Sequence, residues 1–108
     1  MTSRIEQLKQ FINDDPSDVF ARYALALEYL KIDSADALRQ FELLIERDPN
    51  YLPSYFPAAH LMIELGKDLD ADKLFNRGIE LAKQQGNRKM EMELQSAYMV
   101  WKFERDDQ

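Results

Sequence analysis

Few side chains in this sequence could do chemistry. His60 is the only histidine, and Glu64 lies four residues after it. On a helix that spacing puts both on one face, close enough to share a metal ion. No second such pair exists, and a catalytic zinc site takes three protein ligands. One pair lacks the constellation a site needs, so His60 is read as a plain histidine of a binding face and no metal is expected. The chain has no cysteine, which removes thiolate metal sites and any disulfide framework. The carboxylate pairs Asp14-Asp15 and Asp106-Asp107 sit at a helix end and in a charged tail, where they read as cap and solvated charge. There is no glycine-rich phosphate loop and no Ser-His-Asp set. The residues therefore argue for a chain that is not an enzyme and takes no cofactor.

Bulk composition narrows the alternatives further. A length of 108 residues suits one domain, 1–108. A hydrophobic share of 45% is too high for a disordered chain. The net charge of −6 disfavours nucleic acid and an anionic membrane surface, both of which require basic patches. The opening MTSRIEQLKQFIND has no apolar signal core, and no stretch approaches the roughly 18 apolar residues that span a bilayer. The expected location is cytoplasmic.

The elements that must carry any site are all helical in their spacing. Ile5, Leu8 and Ile12 line one face of a leading helix over 3–13, with Ser3 and Glu6 as a capping box and Pro16 as the stop. Ser17 or Asp18 caps a second helix reaching about Ile32; it is apolar on nearly all sides, so neighbours must cover it. Asp33 or Ser34 caps a third, which ends at Asp48-Pro49-Asn50. Pro53 suits the first turn of a fourth, whereas Pro57 predicts either a kink or a later start, near Ser54 or beyond. Gly66 predicts a left-handed cap, Asp68 opens the fifth helix, and Gly86-Asn87 precedes a closing helix over 87–105. No segment alternates in the manner of a strand.

Self-similarity organises these helices. Ala37, Phe41, Ile45 and Glu46 recur 34 residues later as Ala71, Phe75, Ile79 and Glu80. Pro16, Leu25-Ala26 and Tyr29 recur 33 residues later as Pro49, Ala58-Ala59 and Met62. One residue is missing from the turn before Asp33, where the second unit has Gly66. These residues resemble the tetratricopeptide-repeat (TPR) family, whose 34-residue helix-turn-helix unit carries Leu, a small residue and Tyr on its first helix, Ala and Phe on its second, and a closing Asp-Pro. Unit one, 17–50, supplies Leu25, Ala26, Tyr29, Ala37, Phe41, Asp48 and Pro49; unit two, 51–86, supplies Tyr55, Ala58, Ala59, Met62, Gly66, Ala71, Phe75 and Gly78. The departures are Arg22 in place of a large aromatic, Leu44 in place of a small residue and Lys83 in place of a closing proline. The resemblance spans about 14–87 and implies an all-α solenoid of antiparallel helix pairs, six helices in all, with a concave face.

It also implies a function: a scaffold that binds a peptide or protein segment on the first helices of its units. Phe20, Tyr23, Leu27 and Leu30 run along one face of the second helix, and Phe56, His60 and Ile63 repeat that spacing on the fourth. Together they predict an apolar groove for a protein partner. The stripe is either open or covered by the leading and closing helices, and spacing alone leaves both readings standing. The family's carboxylate clamp of Lys, Asn and Arg is absent, its positions holding Tyr23, Leu27, Pro57, Asn87 and Glu91. The rival expectation is an assembly subunit. Met92, Met99 and Phe103 exceed what one face of the closing helix can bury, so they are candidates for self-association as a homodimer or by helix exchange.

Overall fold

The computed structural model describes residues 3–106. Asp107, of the acidic tail pair, lies outside them. Six helices follow one another: α1 (Arg4–Asp14), α2 (Val19–Leu30), α3 (Ser34–Arg47), α4 (Tyr55–Glu64), α5 (Asp68–Gln84) and α6 (Arg88–Asp106). No strand occurs among the described residues. Each helix packs on the next in sequence, and the stack measures 48 × 31 × 19 Å.

The helix starts follow from side chains that accept otherwise orphaned N–H groups. Ser3 Oγ accepts from Glu6 N–H at 3.1 Å while the Glu6 carboxylate accepts from Ser3 N–H, completing the capping box. Asp18 accepts from Ala21 N–H at 2.9 Å, and Asp33 from Ala35 and Asp36 N–H at 2.8 and 3.1 Å. Asn87 Oδ1 accepts from Met90 N–H at 3.0 Å and so opens α6.

The turns explain the missing residue of unit one. Gly66 has φ 75°, and the Lys67 N–H reaches the Met62 carbonyl at 2.7 Å while Gly66 N–H reaches Ile63 at 3.1 Å. That is a six-residue Schellman closure, which requires a left-handed residue. In unit one the matching carbonyl, Tyr29, accepts instead from Asp33 N–H at 2.9 Å. The loop is one residue tighter and stays right-handed, so no glycine is needed. Gly86, at φ 69°, repeats the Schellman pattern, with Asn87 N–H on Ala82 at 2.9 Å.

Pro57 takes the second of its two predicted outcomes. A 3₁₀ turn, Leu52–Ser54, carries Pro53, and the α-helix proper begins at Tyr55. Pro57 is then the third residue of α4, where its absent N–H is one of the four that have no intrahelical acceptor.

The repeated positions form the core. Ala37 and Ala71, Phe41 and Phe75, Ile45 and Ile79, and Ala26 and Ala59 are all buried. Leu44, the departure from a small residue, is buried too. Its counterpart Gly78 lies under α4 and α6: an added Cβ would stand 3.0 Å from Tyr55 Cβ and 3.2 Å from Leu94 Cδ1. Arg22 keeps one contact of the aromatic that it replaces. Its Nε donates to the Pro16 carbonyl at 3.2 Å, as the hydroxyl of Tyr55, 33 residues later, donates to Pro49 at 2.5 Å. Both contacts tie a first helix to the loop that precedes it.

Candidate functional site

An apolar depression lies between α4 and α6. Phe56, His60 and Ile63 project from α4 and Ser96, Ala97, Val100, Trp101 and Glu104 from α6, with Phe75 of α5 also lining a pocket of about 380 Å³. A second pocket of about 390 Å³ shares Phe56, Ser96 and Ala97 and extends past Met92 and Glu93. The two form one groove along α6.

Packing fixes its walls. Phe75 meets Tyr98 and Trp101 with ring centroids 5.6 and 5.8 Å apart, which seats the aromatic face of α6 on the core. The Tyr98 hydroxyl then donates to Asp72 Oδ1 at 2.7 Å, and Lys102 Nζ approaches the other carboxylate oxygen at 3.7 Å. The Tyr98 hydrogen bond holds the Asp72 carboxyl below its ordinary value of 3.8, with Lys102 and Arg105 adding to the effect. This latch ties α6 to α5 beside the groove. On the opposite wall His60 stacks on Phe56, centroids 6.2 Å apart and planes 10° from parallel.

The residues expected to form one doubled stripe are divided. Phe56, His60 and Ile63 come together in the groove. Phe20 is 66% exposed, and it lines neither pocket; nor do Leu27 and Leu30, at 36% and 38%. Tyr23 packs edge-on against Phe41 and Tyr51, at 6.2 and 5.6 Å. The second wall is α6 rather than α2. Glu93, Ala97 and Val100 each lie 37 residues after Phe56, His60 and Ile63, so the spacing was present in the sequence. Glu93 interrupts the apolar pattern there, so the spacing alone does not mark α6 as a wall. Met92, Met99 and Phe103 stand on the outer side of α6, 61%, 69% and 74% exposed, though Met92 also borders the groove.

Among the described residues no three His, Cys, Asp or Glu side chains gather as a metal site, and no helix is long and apolar enough to cross a membrane. Glu64 accepts a long hydrogen bond from Ser34 Oγ, 3.5 Å. Asn87, a position of the absent carboxylate clamp, serves as the cap of α6.

Neither a family model nor a curated protein sequence matches the chain. Solved structures do. A tetratricopeptide repeat domain protein from Salinibacter ruber is 42% identical in its solution structure, which covers 80% of this chain and 88% of its own, with a TM-score of 0.74. The crystal structure of a tetratricopeptide repeat domain protein from the same organism is 41% identical over 76% of this chain and 93% of its own, with a TM-score of 0.72. A protein of Bordetella parapertussis shares the fold at 19% identity, TM-score 0.81, over 96% and 91% of the two chains. The chain belongs to the tetratricopeptide-repeat family. Its fold is the all-α helical repeat of that family, a protein-interaction architecture that is typically a scaffold without catalysis.

Proposed function

We propose that the protein is a binding adaptor, one domain over 1–108, that holds a peptide or protein segment in the groove between α4 and α6. The observation that carries this reading is the groove itself: Phe56, Ile63, Val100 and Trp101 line an apolar channel that no helix among the described residues lies over. Apolar channels with a few polar groups at the lip suit apolar side chains of a partner segment. Phe20, Leu27 and Leu30 on α2 extend the partner surface beyond the groove. No catalysis, metal or cofactor enters the reading, and neither nucleic acid nor membrane is a partner. A cytoplasmic site of action completes the reading, and a chain without cysteine is compatible with a reducing compartment. The test is Val100→Asp, which changes an exposed residue and leaves the core alone. Proteins retained from native lysate by the wild type are expected to be lost on the variant, at unchanged circular dichroism. Retention of the same proteins by both would end the proposal.

The exposure of Met92, Met99 and Phe103 on one face of α6 favours a second reading, self-association through that helix. It predicts a dimer in multi-angle light scattering that Met99→Asp with Phe103→Asp dissociates. A wild-type monomer at millimolar concentration removes it.

A further inference from the structure

The charge around the groove is one-sided. Its lining side chains include the carboxylates of Glu93 and Glu104 and the imidazole of His60, and no lysine or arginine. Among the described residues, neither Glu93 nor Glu104 makes an ion pair. Both cations of the C-terminal half of α6 have partners, that of Arg105 being a ring of the groove wall itself. Lys102 faces Asp72, and the Arg105 guanidinium lies 5.0 Å over the Trp101 ring. Glu93 and Glu104 stand eleven residues apart on one helix, which at 1.5 Å per residue separates them by about 16 Å. Between them lie Ala97, Val100 and Trp101, the apolar stretch of the α6 wall. The chain as a whole carries −6, so the surrounding field has the same sign as the two lips.

We infer that the occupant of the groove is a basic-flanked apolar segment: a stretch of protein with aromatic or aliphatic side chains at its centre and a lysine or arginine on either side, the two cations about 16 Å apart. The inference rests on the groove being the binding face. The apolar centre supplies the affinity by burying against Val100, Trp101, Phe56 and Ile63. The flanking cations meet Glu93 and Glu104, fix the register of the segment along α6 and raise the association rate. An acidic segment of the same apolar content is disfavoured, because its carboxylates would face Glu93 and Glu104, the two charged side chains of the α6 wall. The spacing also constrains conformation. Cations about 16 Å apart are about eleven residues apart in a helical segment and about five in an extended one.

The experiment is selection of a random 16-residue peptide display library on the full chain, followed by affinity measurement of synthetic copies of the enriched sequences. The expected result is enrichment of Lys or Arg on both sides of an aromatic or aliphatic centre, five or eleven residues apart. Glu93→Lys with Glu104→Lys is expected to weaken these peptides about tenfold, since each exposed pair contributes only a fraction of the total and reversal turns attraction into repulsion. Both positions are exposed, so the doubly reversed variant keeps its fold, checked by circular dichroism. Peptides without a basic bias, or unmoved by the reversal but lost on Val100→Asp, would overturn the charge inference and leave the groove standing as the binding face. No enrichment, or peptides that bind Val100→Asp as well as the wild type, would overturn both.

Discussion

Gly78 shows how much a single hydrogen can matter in a stack of helices. It sits in the middle of α5, where alanine is ordinarily the better residue by about 1 kcal/mol. Yet its missing side chain is the space into which Tyr55 of α4 and Leu94 of α6 both press. A methyl group there would stand 3.0 Å from a Cβ that the backbone of α4 holds in place. Overpacking of this kind costs about 1–3 kcal/mol, more than the propensity gain returns. Gly78→Ala is therefore expected to lower stability by about 1 kcal/mol in urea titration, against the rule for exposed helices. Unit one carries a buried Leu44 at the matching position, and nothing in the structure explains why the two units differ there.

At the scale of the element, α6 is held by its aromatic face and by one polar latch. Asp72 is charged in the folded state and its carboxyl is held low, so the latch stabilises the fold above the ordinary carboxyl value of 3.8. That contribution fades as the pH falls through the lower, folded value, because the unfolded chain then binds a proton that the folded chain resists. Tyr98→Phe removes the hydrogen bond of 2.7 Å and is expected to cost about 1 kcal/mol near neutrality, discounted for the partial exposure of the carboxylate. The difference between wild type and variant should shrink on acidification below pH 3.8, read by thermal unfolding at a series of pH values. Helix existence and caps were legible in the chain because they depend on neighbours in sequence: Ser3 with Glu6, Asp33 before Ser34, Gly66 after Leu65. Pro57 left two outcomes open because its meaning depends on where α4 begins. That start is set by the 3₁₀ turn through Pro53, a matter of how the chain enters the stack rather than of any local pattern.

The whole molecule is a line of helices in which each contacts its sequence neighbours, so the ends bear surfaces that interior helices would cover. α6 performs that duty for unit two. Its Leu94 is fully buried, and its Tyr98 and Trp101 rings close over Phe75. A chain ending after Asn87 would open Phe75, Gly78 and the groove-side flank of α5 to water. It is expected to aggregate or lose cooperative unfolding, measured by size-exclusion chromatography and thermal circular dichroism; a soluble, two-state fragment would contradict this account. The core was readable from the repeat, since the matched pairs Leu25 and Ala58, Ala26 and Ala59, Ala37 and Ala71, Phe41 and Phe75, and Ile45 and Ile79 are buried in both units. The groove was readable only by half. Phe56, His60 and Ile63 carried a recognisable apolar spacing, but the partner wall mixes Glu93, Ala97 and Val100. Only the lateral approach of α6 to α4 gives that mixed set a common purpose.

One consequence of α6 concerns how such a protein can change its partners. Successive residues turn by about 100° on a helix, so the inward set Leu94, Tyr98 and Trp101, the groove set Glu93, Ala97, Val100 and Glu104, and the outward set Met92, Met99 and Phe103 occupy different sectors of one rod. Trp101 belongs to both the inward and the groove sets, and Met92 to both the outward and the groove sets. Exchange of Glu93, Val100 or Glu104 therefore rewrites what the groove accepts while the seat of α6 on the core stays intact. Specificity and stability are inherited on separate letters of the same short word, and selection can spell the one anew without erasing the other.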